Sequence, residues 1–150
     1  MDASFLIRCV NEVHDVIIKN EKEIESLDRA IGDGDHFINL KRGCIAIQSI
    51  KDELLPLNNS QIFQKIGMKI LSTVGGASGP LFATFFLEIS KTIKDNEDEL
   101  HNFCEGFNQA VNAIKQRGKS DIGQKTMLDV LIPVAETFKT NMGDNVERQK

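Results

Sequence analysis

The stretch Gly75-Gly76-Ala77-Ser78-Gly79-Pro80-Leu81-Phe82-Ala83-Thr84-Phe85-Phe86 decides the fold. Its second half opens a run in which Leu81, Phe82, Phe85, Phe86, Ile89 and Ile93 recur at helical spacing, with Pro80 where a first-turn proline belongs. Its first half is a string of small residues, which lets backbone N–H groups and the helix dipole face a phosphate or another polar group. Ser78 or Gly79 acting as an ordinary N-cap accounts for the same residues in a plainer way.

Outward from this helix the same periodicity repeats. Phe5, Leu6, Cys9, Val10, Val13, Val16 and Ile17 define the inner face of a first helix, and Cys44, Ile47, Ile50 and Leu54 that of a second. Ile62, Phe63, Ile66, Ile70 and Leu71 make a third, with Ser60 as its expected N-cap. After the fourth come Leu100, Phe103, Cys104, Phe107, Val111 and Ile114, and then Met127, Val130, Leu131, Val134 and Phe138. Strand-like alternation of useful length is absent. The expectation is an all-α, up-and-down antiparallel helical bundle or barrel of about six helices, occupying residues 1–150 as a single domain.

Composition narrows the function classes. A chain of 150 residues suffices for one core, and 41% hydrophobic with 27% charged residues excludes a disordered tail or a fibrous repeat. Nine Phe with no Trp or Tyr favour packing between helices over platforms for stacking bases. The net charge of −4, with no basic stripe, argues against direct nucleic-acid binding. No basic segment leads an uninterrupted apolar stretch at the N-terminus and no run spans a bilayer, so a cytoplasmic protein without membrane contact is expected. Cys9, Cys44 and Cys104, odd in number and widely spaced, are expected to be buried free thiols.

In an up-and-down bundle alternate loops share an end. The loops at Leu27–His36, Val74–Gly79 and Arg117–Lys125 fall at one mouth, and those at Leu55–Ser60 and Lys94–Glu99 at the other. The first set holds Gly32, Gly34, Gly75, Gly76, Gly79, Gly118 and Gly123, whereas the second has no glycine. Ordinary turns do not need that asymmetry, but backbone that approaches a ligand closely does. The glycine-rich end is therefore the expected functional end.

The first of these loops reads Leu27-Asp28-Arg29-Ala30-Ile31-Gly32-Asp33-Gly34-Asp35-His36. Three carboxylates so close together converge readily around a hard divalent cation such as Mg²⁺, which also keeps waters and phosphate oxygens. Asp35 capping the next helix, with the others solvated, is the alternative. The loop is no EF-hand, because the twelfth position from Asp33 is Cys44 rather than Glu. Gly118-Lys119-Ser120 fails as a P-loop: the position of its first glycine is Ala113, and a helix rather than a strand precedes it. His36 adjoins Asp35 at the mouth and is a candidate ligand contact, while His14 and His101 read as helix residues of structural or solvated character. No nucleophile with a partnering base is legible.

Taken together, Asp28…Gly32-Asp33-Gly34-Asp35-His36, then Gly75-Gly76-Ala77-Ser78-Gly79-Pro80-Leu81-Phe82, then Gly118…Gly123-Gln124-Lys125-Thr126-Met127-Leu128-Asp129 resemble the ADP-binding L subunit (DhaL) of phosphotransferase-dependent dihydroxyacetone kinases, over essentially the whole chain. The resemblance implies a helical barrel with a retained ADP/ATP nucleotide at one mouth, bridged by two Mg²⁺ ions. By motif position it assigns Asp28, Asp33 and Asp35 to the metals and His36, Phe37, Ile38, Asn39, Ala77, Ser78, Gly118 and Met127 to the nucleotide. It further implies a relay from a phosphohistidine-bearing DhaM-like subunit to dihydroxyacetone on a DhaK-like subunit, with no nucleophile on this chain. A transcription regulator is a further partner it suggests.

Two departures accompany the resemblance. Phe37 stands where the family usually has Gly, and is expected to crowd the nucleotide or disturb backbone contacts there. Family members also continue through further helices and a lid-like segment with an Arg and an Asp-Pro-Gly turn, so this sequence, ending at Lys150 after Gly143-Asp144-Asn145, reads as C-terminally short. The competing expectation is accordingly a truncated, non-catalytic nucleotide-binding or regulatory module of the same fold. A single-chain ATP-dependent kinase or fatty-acid kinase is a further enzyme alternative, against which His36 favours the phosphotransferase-linked type.

Overall fold

The computed structural model describes residues 2–94 and 98–148, with side chains through Asn141. Among the described residues there are eight helices and no strand: α1 (Ala3–Lys19), α2 (Glu21–Ile31), α3 (His36–Ser49), α4 (Lys51–Leu54), α5 (Asn59–Thr73), α6 (Ser78–Thr92), α7 (Glu99–Gly118) and α8 (Leu128–Arg148). The expected all-α bundle is what forms. Packing follows the chain: α1 lies on α3, α3 on α5, α5 on α6, α6 on α7 and α7 on α8. Among the described residues no helix is long and apolar enough to cross a membrane.

The two helices beyond the expected six have local causes. Asn20 leaves the helical region, at φ −104° and ψ 17°, and splits the first helical run. The segment after it becomes α2, a helix with no buried residue, whose Leu27 is exposed and whose Ile31 is 92% exposed. Its Ile24, Leu27 and Ile31 do recur at helical spacing, but Leu27 and Ile31 stay exposed while Ile24 packs against Phe37. At Ile50, again outside the helical region, a last turn separates as α4 and buries Leu54 completely.

The core is built as the phenylalanine count suggests. Rings from four helices touch in succession: Phe63 of α5 with Phe86 of α6, Phe85 of α6 edge-on to Phe107 of α7 at 5.1 Å, and Phe107 edge-on to Phe138 of α8 at 5.2 Å. Edge-to-face pairs of this kind add about 0.5–1.5 kcal/mol each beyond area burial. Ile62, Ile66, Ile89 and Ile114 are fully buried around them. α5 starts two residues earlier than expected. Its N-cap is Asn58, in a reciprocal capping box with Gln61, and Ser60 instead donates from Oγ to the Ser90 carbonyl of α6 at 2.7 Å.

Of the thiols, Cys44 and Cys104 are buried and free, and burial pushes both thiol pKa values up. Cys9 departs from expectation: it is free but exposed, on the wall of an apolar groove beside Val13 and Ile17. Of the polar connection expected at Lys94–Glu99, residues 95–97 lie outside the described residues, as do residues 1 and 149–150.

Candidate metal and phosphate site

At one end of the bundle the first two glycine-bearing loops meet. Carboxylate oxygens of Asp28, Asp33 and Asp35 all lie within 4.8 Å of one another. Asp28 belongs to the last turn of α2, so the unexpected helix is what places it. Its Oδ2 accepts the His36 N–H at the start of α3 at 3.0 Å. Asp28 thereby ties the end of α2 to the beginning of α3. A Cβ on Gly32 would collide with Oδ1 of Asp28, so a side chain there would displace the carboxylate. Asp33 Oδ1 accepts the Asp35 N–H at 3.4 Å, and Arg29 passes beside Gly34.

The capping alternative for Asp35 does not hold. Asp35 occupies the N-cap position of α3, but its side chain makes no capping hydrogen bond there. Its carboxylate points instead toward the second loop: a Cβ on Gly76 would lie 3.7 Å from Asp35 Oδ1 and 3.3 Å from Asn39 Nδ2. Gly76 has φ +69°, a left-handed conformation that glycine adopts without strain. α6 then begins at Ser78, and neither Ser78 nor Gly79 caps it. The N-cap residue is Ala77, and among the described residues no side-chain hydrogen bond caps the helix. Those donors are turned toward the mouth without a side-chain partner.

The third loop adjoins the second through α6. A Cβ on Gly118, at the end of α7, would lie 3.8 Å from Leu81 in the first turn of α6. Half-buried Met127 packs in one apolar cluster with Leu81 and Leu128. The chain from Gly118 to Met127 is held by polar bonds. Lys119 ends α7 in the left-handed region at φ 49°, Lys115 pairs with Asp121 at 2.6 Å, and Lys125 is also left-handed at φ 56°. Asp129, on α8, clamps the rest: its Oδ2 accepts the Thr126 N–H at 2.8 Å and its Oδ1 the Gly123 N–H at 2.6 Å. Those two bonds, Thr126 first, hold its carboxyl below the ordinary value of 3.8.

The residues assigned to the nucleotide divide in a telling way. His36 and Ile38 face partly outward, Ala77 is exposed and Ser78 half-buried, all at this mouth. Asn39 is 2% exposed beneath Gly75 and Gly76. Phe37 behaves differently from expectation. Its ring is buried with Ile17 and Cys44, under Val10, Ile24 and Leu40, so the side chain fills the junction of α1, α2 and α3 instead of crowding the mouth. His101 is exposed at the other end of α7, and half-buried His14 sits on α1 with Nδ1 3.6 Å from Asp15.

Two residues at the site escaped sequence reasoning. Asp129 carries the signal Thr126-x-x-Asp129, a capping-box pattern. Arg42 donates from Nη1 to Asn39 Oδ1 at 3.1 Å, and its only trace in sequence is the three-residue helical spacing.

At one mouth of this all-α bundle three carboxylates, a left-handed glycine and an uncapped helix start come together, a set of groups that could hold a divalent cation beside an anionic group. The donors are all oxygen, which suits Mg²⁺. The particular family follows from comparison: residues 30–149 match the DAK2 domain, and the chain belongs to that family. It is 37% identical over 137 residues to the ADP-binding subunit DhaL of PEP-dependent dihydroxyacetone kinase 1 from Listeria innocua, covering 91% of this chain and 69% of that protein. To the DhaL subunit of Escherichia coli it is 33% identical over 144 residues, covering 95% of this chain and 67% of that protein. The crystal structure of the C. freundii dihydroxyacetone kinase in complex with AMP-PNP and Mg²⁺ superposes with a TM-score of 0.71 at 27% identity, over 89% of this chain. This chain spans 24% of that kinase chain.

Proposed function

We propose that this chain is the nucleotide-carrying subunit of a dihydroxyacetone kinase, standing between a phosphohistidine-bearing DhaM-like donor and a DhaK-like subunit that holds dihydroxyacetone. It acts in the cytoplasm as one nucleotide-binding domain. Asp28, Asp33 and Asp35 hold two Mg²⁺ ions; the backbone from His36 to Asn39, Ala77 and Ser78 at the start of α6, Gly118 and Met127 surround ADP or ATP. When bound, nucleotide and metal supply the phosphoryl carrier and its charge neutralisation, which is most of what phosphoryl transfer requires. The protein's own part is positioning. Asp28 fixes α2 against α3, Gly76 leaves Asp35 open toward the second loop, and Asp129 fixes the third loop.

The observation that carries this reading is the convergence of three carboxylates within 4.8 Å, with Asp35 not consumed in capping and directed at the glycine loop. Calorimetric titration with ADP tests it. The unsubstituted chain is expected to bind ADP in Mg²⁺ and only weakly in EDTA, and Asp33→Asn to lose the Mg²⁺-dependent part. Absence of Mg²⁺-dependent binding by the unsubstituted chain overturns the proposal.

A further inference from the structure

Asn39 is the most deeply buried polar side chain at the site, and its two amide atoms have unequal surroundings. Oδ1 accepts from Arg42 Nη1 at 3.1 Å, whereas Nδ2 has no protein acceptor among the described residues. Nδ2 lies instead on the side of Gly76 and the Asp35 carboxylate, both in the space a Cβ on Gly76 would enter. The remaining surroundings of Asn39 are apolar, since it lines a groove with Leu40, Ile47, Ile70, Val74 and Phe82. Nδ2 is therefore the one polar atom of this otherwise buried side chain that stays open toward the mouth, where a ligand acceptor can meet it.

An amide can present either atom to the mouth by rotating half a turn. Arg42 removes that freedom, because a guanidinium has donors only and the atom facing it must be the carbonyl oxygen. Arg42 itself is exposed beside Gly75 and forms no ion pair among the described residues.

Resting on the nucleotide reading above, we infer that Arg42 is a positioning residue that locks the Asn39 amide with its N–H₂ toward the glycine loop, where it donates to an anionic oxygen of the nucleotide. Without Arg42 the lock is lost, and orientations in which an acceptor faces the anion become open to the amide.

The test is a cycle of Arg42→Ala, Asn39→Ala and the double variant, with Arg42→Lys as the conservative replacement, each titrated with Mg·ADP in the calorimeter. Arg42→Ala is expected to weaken binding by about tenfold, the worth of one hydrogen bond to a charged group. Asn39→Ala weakens it comparably, and the double variant is no weaker than Asn39→Ala alone. Arg42→Lys restores most of the affinity, since an ammonium also offers only donors. In the nucleotide-free protein, the Asn39 side-chain amide resonances shift in Arg42→Ala and return toward their original positions in Arg42→Lys. Additive losses across the cycle, or Asn39 amide resonances indifferent to Arg42→Ala, overturn the positioning role. Loss of Mg·ADP binding in the unsubstituted chain is a different failure: it overturns the nucleotide reading, and the inference with it.

Discussion

Replacing Asp33 by Asn should make the metal-free protein more stable and the Mg²⁺-loaded protein less stable than the unsubstituted chain. Asp33 is exposed, and its one hydrogen bond, from the Asp35 N–H to Oδ1, is available to an asparagine as well. What the substitution removes is charge. Asp33 faces Asp28 and Asp35 with oxygens within 4.8 Å. At that separation each like-charged pair repels by about 0.9 kcal/mol in water. Screening at physiological ionic strength, with a Debye length of about 8 Å, brings the sum over both pairs to about 1 kcal/mol. Part of that repulsion persists in the unfolded chain, where these residues are still close in sequence, so the net stabilisation is on the order of 1 kcal/mol. The corresponding rise in melting temperature is about 2–4 °C for a domain of this size.

Mg²⁺ reverses the order. At a hundred times its Kd a ligand specific to the folded state adds about 2.7 kcal/mol, which the unsubstituted chain gains and the variant does not. Thermal unfolding of both proteins, in EDTA and across a Mg²⁺ series, measures both halves. A variant less stable than the parent in EDTA would refute the repulsion argument. An equal Mg²⁺-dependent rise in both proteins would refute the assignment of Asp33 to a metal.

Other expected outcomes follow from the same geometry. Gly76→Ala puts a side chain at φ +69°, which costs about 1–2 kcal/mol, and sets its Cβ between Asn39 and Asp35. Mg·ADP affinity measured by calorimetry should fall by more than about tenfold, well beyond what the lost stability accounts for. Ile89→Ala empties a site that is 0% exposed among Phe63, Ile93 and Ala110, and denaturant titration should show a loss of about 2–5 kcal/mol with little change in slope. The Asp129 carboxyl is held below 3.8 by the Thr126 and Gly123 N–H groups, so its hold on the third loop is complete above that pH and is lost as pH falls through its lower folded value. Amide exchange at Gly123 and Thr126 should therefore stay slow down to the ordinary carboxylate range and accelerate below it. Asp129→Asn, with a single carbonyl oxygen, should release one of the two amides already at neutral pH.

Much of the architecture was legible because it is a local property. The apolar stripes of α1, α3, α5, α6, α7 and α8 repeat within each helix, and a stripe needs no knowledge of its partner. The alternation of loops then placed the carboxylates and the Gly75–Gly76 turn at one end, which the approach of Gly76 to Asp35 bears out. α2 was missed because its short Ile24, Leu27, Ile31 stripe runs into the glycine and aspartate segment that reads as a loop, and yet it is the element that delivers Asp28. The direction of Phe37, the exposure of Cys9 and the idle capping side chain of Asp35 were likewise beyond periodicity, because each depends on which neighbour arrives from elsewhere in the chain.

By itself, the sequence determined the class of the protein: amphipathic helices joined at one end by loops of glycine and aspartate, the residue types that a hard-metal or phosphate site would draw on. Only the tertiary structure decided which side-chain atoms face the mouth. Oδ1 of Asn39 is claimed by Arg42, Nδ2 is left toward Gly76, and the Asp35 carboxylate is left uncapped. The physical reason is range. Helix periodicity and turn chemistry act over a few residues, whereas the orientation of a buried amide or carboxylate is set by hydrogen-bond partners and packing that converge only when the helices dock.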